Sequence, residues 1–300
     1  MNPQIGALAA ITTAMLWSAT STFFTLAGRE VGSVVVNRSR LLLAAVFVIA
    51  THWIVMGEPL PITADPERWL WLSLSGFIGF VLGDAFLFQA FVWVGPRLSM
   101  LMMSLAPVIA AVVSWFALDE RLAMPQVIGI LVTITGVVIV MLDRRAGSTT
   151  VENKDYFRGI LFGLGAASGQ ALGLIASKFG LTGDFSPLSG NTIRVLTAAV
   201  IMWVLTFVMG QAKHTIGALI EKRKARFAIV GGTVFGPFLG VWLSLIAIQN
   251  APVGIASTLM GLSPIFLVPV GLIIFQETFT WRTVLGTLIA VGGVALLFLS

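Results

Sequence analysis

Asp84 is the residue with most to say about chemistry. It sits in Gly83-Asp84-Ala85-Phe86, deep inside a long apolar run. A carboxylate at hydrocarbon depth is costly and marks a functional site by default. It is expected either to form a structural pair with Arg40 or Arg194, or a hydrogen bond to a neighbouring helix, or to carry a coupled proton or meet a substrate; the structural reading is preferred. Each of those arginines follows an asparagine by three residues (Asn37-Arg38-Ser39-Arg40 and Asn191-Thr192-Ile193-Arg194), so each Asn and Arg share a helix face. They are gates or clamps for a carboxylate, or anchors snorkelling to the interface; the anchor reading is preferred.

Other residues point to a cavity. Trp17 and Trp242 lie well inside apolar runs and could face an aromatic or cationic ligand. Gln170 lies mid-run and needs a polar partner, either a substrate or a neighbouring helix. Pro107 and Pro264 are expected midway along their helices, where each removes a hydrogen bond to the carbonyl four residues earlier. Those carbonyls belong to Met103 and Met260, whose side chains offer adaptable apolar contact. A kink and a freed carbonyl at mid-membrane suit a site or a hinge. Glu120 and Glu277 end their runs and are read as caps of the helices that follow.

Enzyme chemistry finds little support. The two histidines, His52 and His214, are far apart at or beyond the ends of apolar runs, and there is no cysteine. No HExxH, acid-rich diphosphate motif or Walker A sequence occurs. No metal, cofactor or catalytic residue is expected.

The elements that hold these residues must be membrane helices. Of the 300 residues, 57% are hydrophobic and only 10% charged, with a mean hydropathy of +0.98. Soluble domains carry roughly 25% charged residues, so lipid must cover much of this surface. Apolar runs of spanning length fall at 4–26, 34–54, 69–92, 98–118, 125–142, 157–180, 188–210, 227–248, 254–275 and 282–298. Lipid forces each run to satisfy its own backbone, which makes it helical. The first run is expected to be a retained helix, since Met1 to Gln4 lacks a basic region.

The runs repeat. The Asn-x-x-Arg pair recurs at an offset of 154. At 157, Gly79 matches Gly236, Gly83 matches Gly240, Pro107 matches Pro264, Glu120 matches Glu277, Gly129 matches Gly286 and Gly136 matches Gly293. The expected organisation is all-α: ten transmembrane helices as two five-helix repeats, residues 1–145 and 157–300, joined by a polar loop at 146–156. An odd number of helices per repeat inverts the second, as in many secondary transporters. The GxxxG pairs, among them Gly79/Gly83, Gly169/Gly173 and Gly236/Gly240, are read as close helix contacts. Of 18 Lys and Arg residues, 14 fall in odd-numbered connections, which places those connections in the cytoplasm and both termini outside. The same distribution explains the net charge of +5 without nucleic acid.

The whole chain resembles the drug/metabolite transporter superfamily, and within it the EamA family. The resemblance rests on the paired repeats and on a helix-end pattern. That pattern runs from Leu105-Ala106-Pro107 through Asp119-Glu120-Arg121 to Gly129 and Gly136, and again from Leu262-Ser263-Pro264 through Gln276-Glu277 to Gly286 and Gly293. Trp17-Ser18 stands where the family often has Trp-Gly. The resemblance implies a carrier of small metabolites, often an exporter of amino acids, with a cavity between the repeats. The function expected is therefore a secondary transporter in a bacterial inner membrane, working by alternating access. Its partners are a small-molecule substrate, the lipid bilayer and protons as candidate coupling ions. A lipid-carrier flippase component or membrane-embedded enzyme is the alternative.

Overall fold

The computed structural model describes residues 3–117, 124–142, 153–183, 185–250, 259–276 and 280–299. Among these residues the regular structure is helical and there is no strand. In chain order the helices are α1 (Pro3–Val31), α2 (Ser33–Met56), α3 (Pro66–Gly76), α4 (Asp84–Met103), α5 (Ala106–Ala117), α6 (Met124–Leu142) and α7 (Asn153–Gly180). They continue as α8 (Pro187–Val208), α9 (Ala212–Glu221), α10 (Arg223–Thr233), α11 (Leu239–Asn250), α12 (Ser263–Ile273) and α13 (Trp281–Leu299). Six helical stretches are long and apolar enough to cross a membrane: Gln4–Val31, Ser33–Met56, Pro66–Met103, Asp155–Gly180, Pro187–Val208 and Arg223–Ala247. Val127–Val140, Ser263–Ile273 and Trp281–Leu296 are shorter apolar helices. Large apolar side chains on the outside, such as Ile54 and Ile273, are 84% and 78% exposed, as a lipid-facing surface requires.

Two π-helical segments interrupt the long rods. Phe77–Gly83 joins α3 to α4, and Val234–Phe238 joins α10 to α11. They begin 157 residues apart, at the offset of the sequence repeat. A wide turn inside a helix often marks a functional position. The matched glycines lie in or just beyond these segments, and Pro237 lacks the N–H that a tighter turn would use.

The halves are interlocked. α1 packs along α10, the second π segment and α11, whereas α7 packs along α3, the first π segment and α4. Each half thus lays its first helix on the third rod of the other. Glycines make the α7 contact close: a Cβ on Gly169 would sit 2.7 Å from the Cα of Gly83, and one on Gly173 3.2 Å from the Cα of Gly79. α6 and α13 pair in the same way, with a Cβ on Gly136 falling 2.3 Å from the backbone N of Ala290. The packing role read from the glycine spacing thus holds at these contacts.

α2 and α8 run antiparallel. Trp203, late in α8, donates from Nε1 to the carbonyl of Arg38, early in α2, at 3.0 Å. At the other end His52, late in α2, meets the Ser189 hydroxyl at 2.9 Å.

Two expectations change here. The run 98–118 is not one helix: α4 kinks at Gly95 (φ 81°), between the expected runs 69–92 and 98–118, its second piece ends at Met103, the chain turns at Ser104 and Leu105, and α5 starts at Ala106. Pro107 and Pro264 therefore occupy the first turns of α5 and α12 and do not kink a continuous helix. That is where proline fits best, because first-turn N–H groups have no helical partner. The stretch between the runs 188–210 and 227–248 carries a short helix, α9. Residues 118–123 and 277–279, and with them Glu120 and Glu277, lie outside the described residues, as do residues 143–152 of the connecting stretch.

Candidate functional site

Two adjoining hollows share Trp17, Met100, Met103 and Gln170 as walls and so form one cavity between the helices. The first lobe is lined by Arg40, Asp84 and the rings of Phe24, Phe80, Phe88 and Phe91. The second is lined by Ser104, Pro107, Met260, Ser263 and Pro264. Both halves contribute walls to each lobe.

The centre of the first lobe is an ion pair. Arg40, the eighth residue of α2, is only 2% exposed. Its Nη2 donates to Asp84 Oδ2, and its Nε donates to Asn37 Oδ1 at 3.0 Å. Its guanidinium carbon lies 4.7 Å from the centre of the Phe88 ring and 5.8 Å from that of Phe80. Arg40 is therefore not a snorkelling anchor. The charge is held in the interior because Asp84 neutralises it and the ring faces solvate it.

Arg194 is the eighth residue of α8 and equally buried. Its guanidinium carbon lies 4.7 Å from the centre of the same Phe80 ring. It makes no salt bridge among the described residues, and its Nε is buried without a hydrogen-bond partner. It too is not an interfacial anchor. The two arginines come from equivalent places in the repeats and converge on one phenylalanine.

The asparagines are equally matched. Asn37 donates from Nδ2 to the carbonyl of Phe80 at 3.4 Å, and Asn191 donates from Nδ2 to the carbonyl of Pro237 at 3.0 Å. Phe80 and Pro237 are 157 apart and lie in the two π segments. A π turn withdraws carbonyls from the regular helical ladder, and the asparagines take up these two.

The structure thus brings together Trp17, Arg40, Asp84, Met103, Gln170 and Met260, with Pro107 and Pro264 in the walls. Trp242 is not among the lining residues; its ring lies against Phe238, with centroids 6.4 Å apart, and the adjacent Val241 faces the first lobe. Turning one residue along a helix moves a side chain by about 100°, so depth in the run could not decide which of the two points inward. The carbonyl of Met260 is not free either: it accepts from Ser263 Oγ at 3.0 Å. Ser18, where the family often has glycine, donates from Oγ to the carbonyl of Ser263 at 2.8 Å and ties α1 to the first turn of α12.

Sequence reasoning passed over Phe80, Phe24 and Phe88, and also Ser104. The offset alone could have flagged Phe80, because it stands between the matched glycines opposite Pro237. The other rings carry no spacing signal in a chain with 21 phenylalanines. No group of three or more His, Asp or Glu side chains among the described residues is placed to hold a metal ion.

Comparison with known proteins adds the following. A family model described as EamA-like transporter family matches residues 4–142 and 157–299. The fold is similar to that of a solved structure titled only as the crystal structure of a protein. The TM-score is 0.67 and the identity 19%, over 98% of this chain and 96% of that one. No curated protein matches the chain.

Proposed function

The chain belongs to the EamA-like transporter family, and from that premise we propose that this multi-pass membrane protein is a secondary transporter that exports amino acids or similar small amphiphilic metabolites. The observation that carries the reading is the cavity between the helices, walled by both halves, with a charged pair set among aromatic rings. A small molecule with an apolar body and a polar end matches those walls. Trp17, Met103 and Met260 offer apolar contact, Gln170 a neutral donor and acceptor, and Arg40 and Asp84 the charges. Trp242 has no place in this set.

The ten-span, inverted-repeat organisation with halves 1–145 and 157–300 is part of the proposal, and the antiparallel run of α2 and α8 supports it. We also propose the setting of a bacterial inner membrane with the basic odd connections in the cytoplasm, as the distribution of Lys and Arg favours. Alternating access then cannot be a rocking of one whole half against the other. α1 and α7 are each buried against the opposite half, so the moving boundary has to cut across both repeats. The π segments, the kink at Gly95 (φ 81°) before Pro96, and the breaks at Ser104–Leu105 and Gly261–Leu262 are helix interruptions available to bend.

The test is uptake of labelled amino acids into proteoliposomes, with and without an imposed pH gradient. Saturable uptake above empty vesicles is expected. Acceleration by the gradient identifies proton coupling, and indifference identifies facilitated diffusion or exchange. Absence of flux for every amino acid would remove the substrate class while leaving the family unchanged.

A further inference from the structure

The charges around the cavity do not cancel. Among the described lining residues the only ionisable groups are Arg40 and Asp84. Arg194 stands over Phe80, its guanidinium carbon 4.7 Å from the ring centre, and Arg40 lies 5.8 Å from the centre of the same ring. Arginine stays protonated in proteins. The cluster is therefore two cations and one anion, with the second cation lacking a hydrogen bond at its buried Nε. Arg38 and Arg97 line neither lobe, and Arg38 is engaged with Thr215 and Gln211 at the start of α2. An uncompensated charge is unfavourable in a low-dielectric interior.

We propose that the transported species is a monoanion whose carboxylate takes the place of Asp84 on Arg40, while Asp84 turns to Arg194. The proposal rests on the transporter reading and restricts its substrates to the anionic members of that class, setting net-neutral amino acids aside. With the ligand in place there are two guanidinium groups and two carboxylates, and the excess is gone. A neutral molecule leaves the excess untouched, and a zwitterion adds no net charge to cancel it.

Symmetry gives the exchange its direction. Arg40 and Arg194 are equivalents at an offset of 154, each the eighth residue of its helix and each on a face of the Phe80 site. The acid has no equivalent, since position 241 is valine. One carboxylate thus serves two matched arginines. Inverted repeats alternate by exchanging conformations, and a single acid passing from one repeat's arginine to the other's is that exchange at the scale of a side chain.

The second lobe has the same electrical sign. The first turns of α5 and α12, helices of 12 and 11 residues, contribute Ala106, Pro107, Ser263 and Pro264 to its wall. Helix N-termini carry a partial positive charge. Beside them the hydroxyl of Ser104, 4% exposed, has no hydrogen-bond partner and can donate to an anion. The Trp17, Phe24 and Phe88 rings supply the surface for an apolar body.

The first experiment compares acetate, phenylacetate and indole-3-acetate with their uncharged amides, and with L-phenylalanine, on the unmodified full chain in nanodiscs. Tryptophan fluorescence and thermal stabilisation are the readouts. At least one carboxylate is expected to bind about tenfold tighter than its amide, as a charge-assisted bond warrants. Failure of all three, equal binding of acid and amide, or binding of L-phenylalanine alone overturns the proposal. The second experiment uses Val241→Asp, which places a second carboxylate at the repeat equivalent of Asp84, with Val241→Asn as a control for bulk. The Asp variant is expected to bind the carboxylate at least about tenfold more weakly than the Asn variant, and equal loss in both overturns the proposal. Flux is measured separately in proteoliposomes. Transport that ignores substrate charge sinks the anion assignment and leaves the carrier reading standing. Carboxylate binding without flux of any solute upholds the assignment and sinks the carrier reading.

Discussion

At the residue scale the Arg40–Asp84 pair decides most. Both side chains sit in the interior, at 3% and 15% exposure. Removing one partner strands the other's charge or hydrogen-bonding groups, which typically costs about 3–5 kcal/mol. Replacing both by apolar residues of similar volume removes the desolvation penalty together with the attraction. Asp84→Leu and Arg40→Met are each expected to lower the melting temperature of the purified protein clearly, and the double variant to lower it less than the sum. Strict additivity in such a double-mutant cycle would mean that the two groups do not act as a pair. Stability alone separates the structural share of Asp84 from its share in transport, because the cycle needs no substrate.

At the element scale the close helix pairs carry the argument. A Cβ on Gly136 would lie 2.3 Å from Ala290 N and 2.6 Å from Gly286 O, both backbone atoms that no rotamer change can move aside. Gly136→Ala is therefore expected to push α6 from α13 and to destabilise the protein by about 1–3 kcal/mol, as overpacking does. A Cβ on Gly217, inside α9, would have nothing within 4 Å. Gly217→Ala is expected to be neutral or stabilising by up to about 1 kcal/mol, from helix propensity alone. Melting both variants in the same detergent checks the pair; equal effects would mean that the α6–α13 approach is looser than described.

At the scale of the whole molecule the halves depend on one another. α1 buries its face on α10 and α11, and α7 buries its face on α3 and α4. A half expressed by itself exposes that face and loses the wall its partner gives the cavity. Residues 1–147 or 148–300 expressed alone are expected to be digested rapidly by protease, and the two co-expressed to assemble into a protected, co-purifying pair. Independent protection of either half would show that the interlock is not needed for folding.

Composition and apolar run length established a helical membrane protein, because lipid leaves the backbone few other ways to satisfy itself. The offsets of 154 and 157 established the repeat and located the close-packed glycines, since a position where backbones touch tolerates only the smallest residue. Asp84 stood out in the sequence because an acid is rare in such surroundings. Its partner did not: Arg40 and Arg194 have the same spacing from their asparagines, and only packing gave the carboxylate to one of them. The choice of Val241 over Trp242 as cavity wall, the first-turn positions of Pro107 and Pro264, and the shared Phe80 were also decided in three dimensions. A few tens of degrees of helix rotation, or the point where a rod breaks, settle such matters. These depend on which helices meet, and local sequence does not encode that.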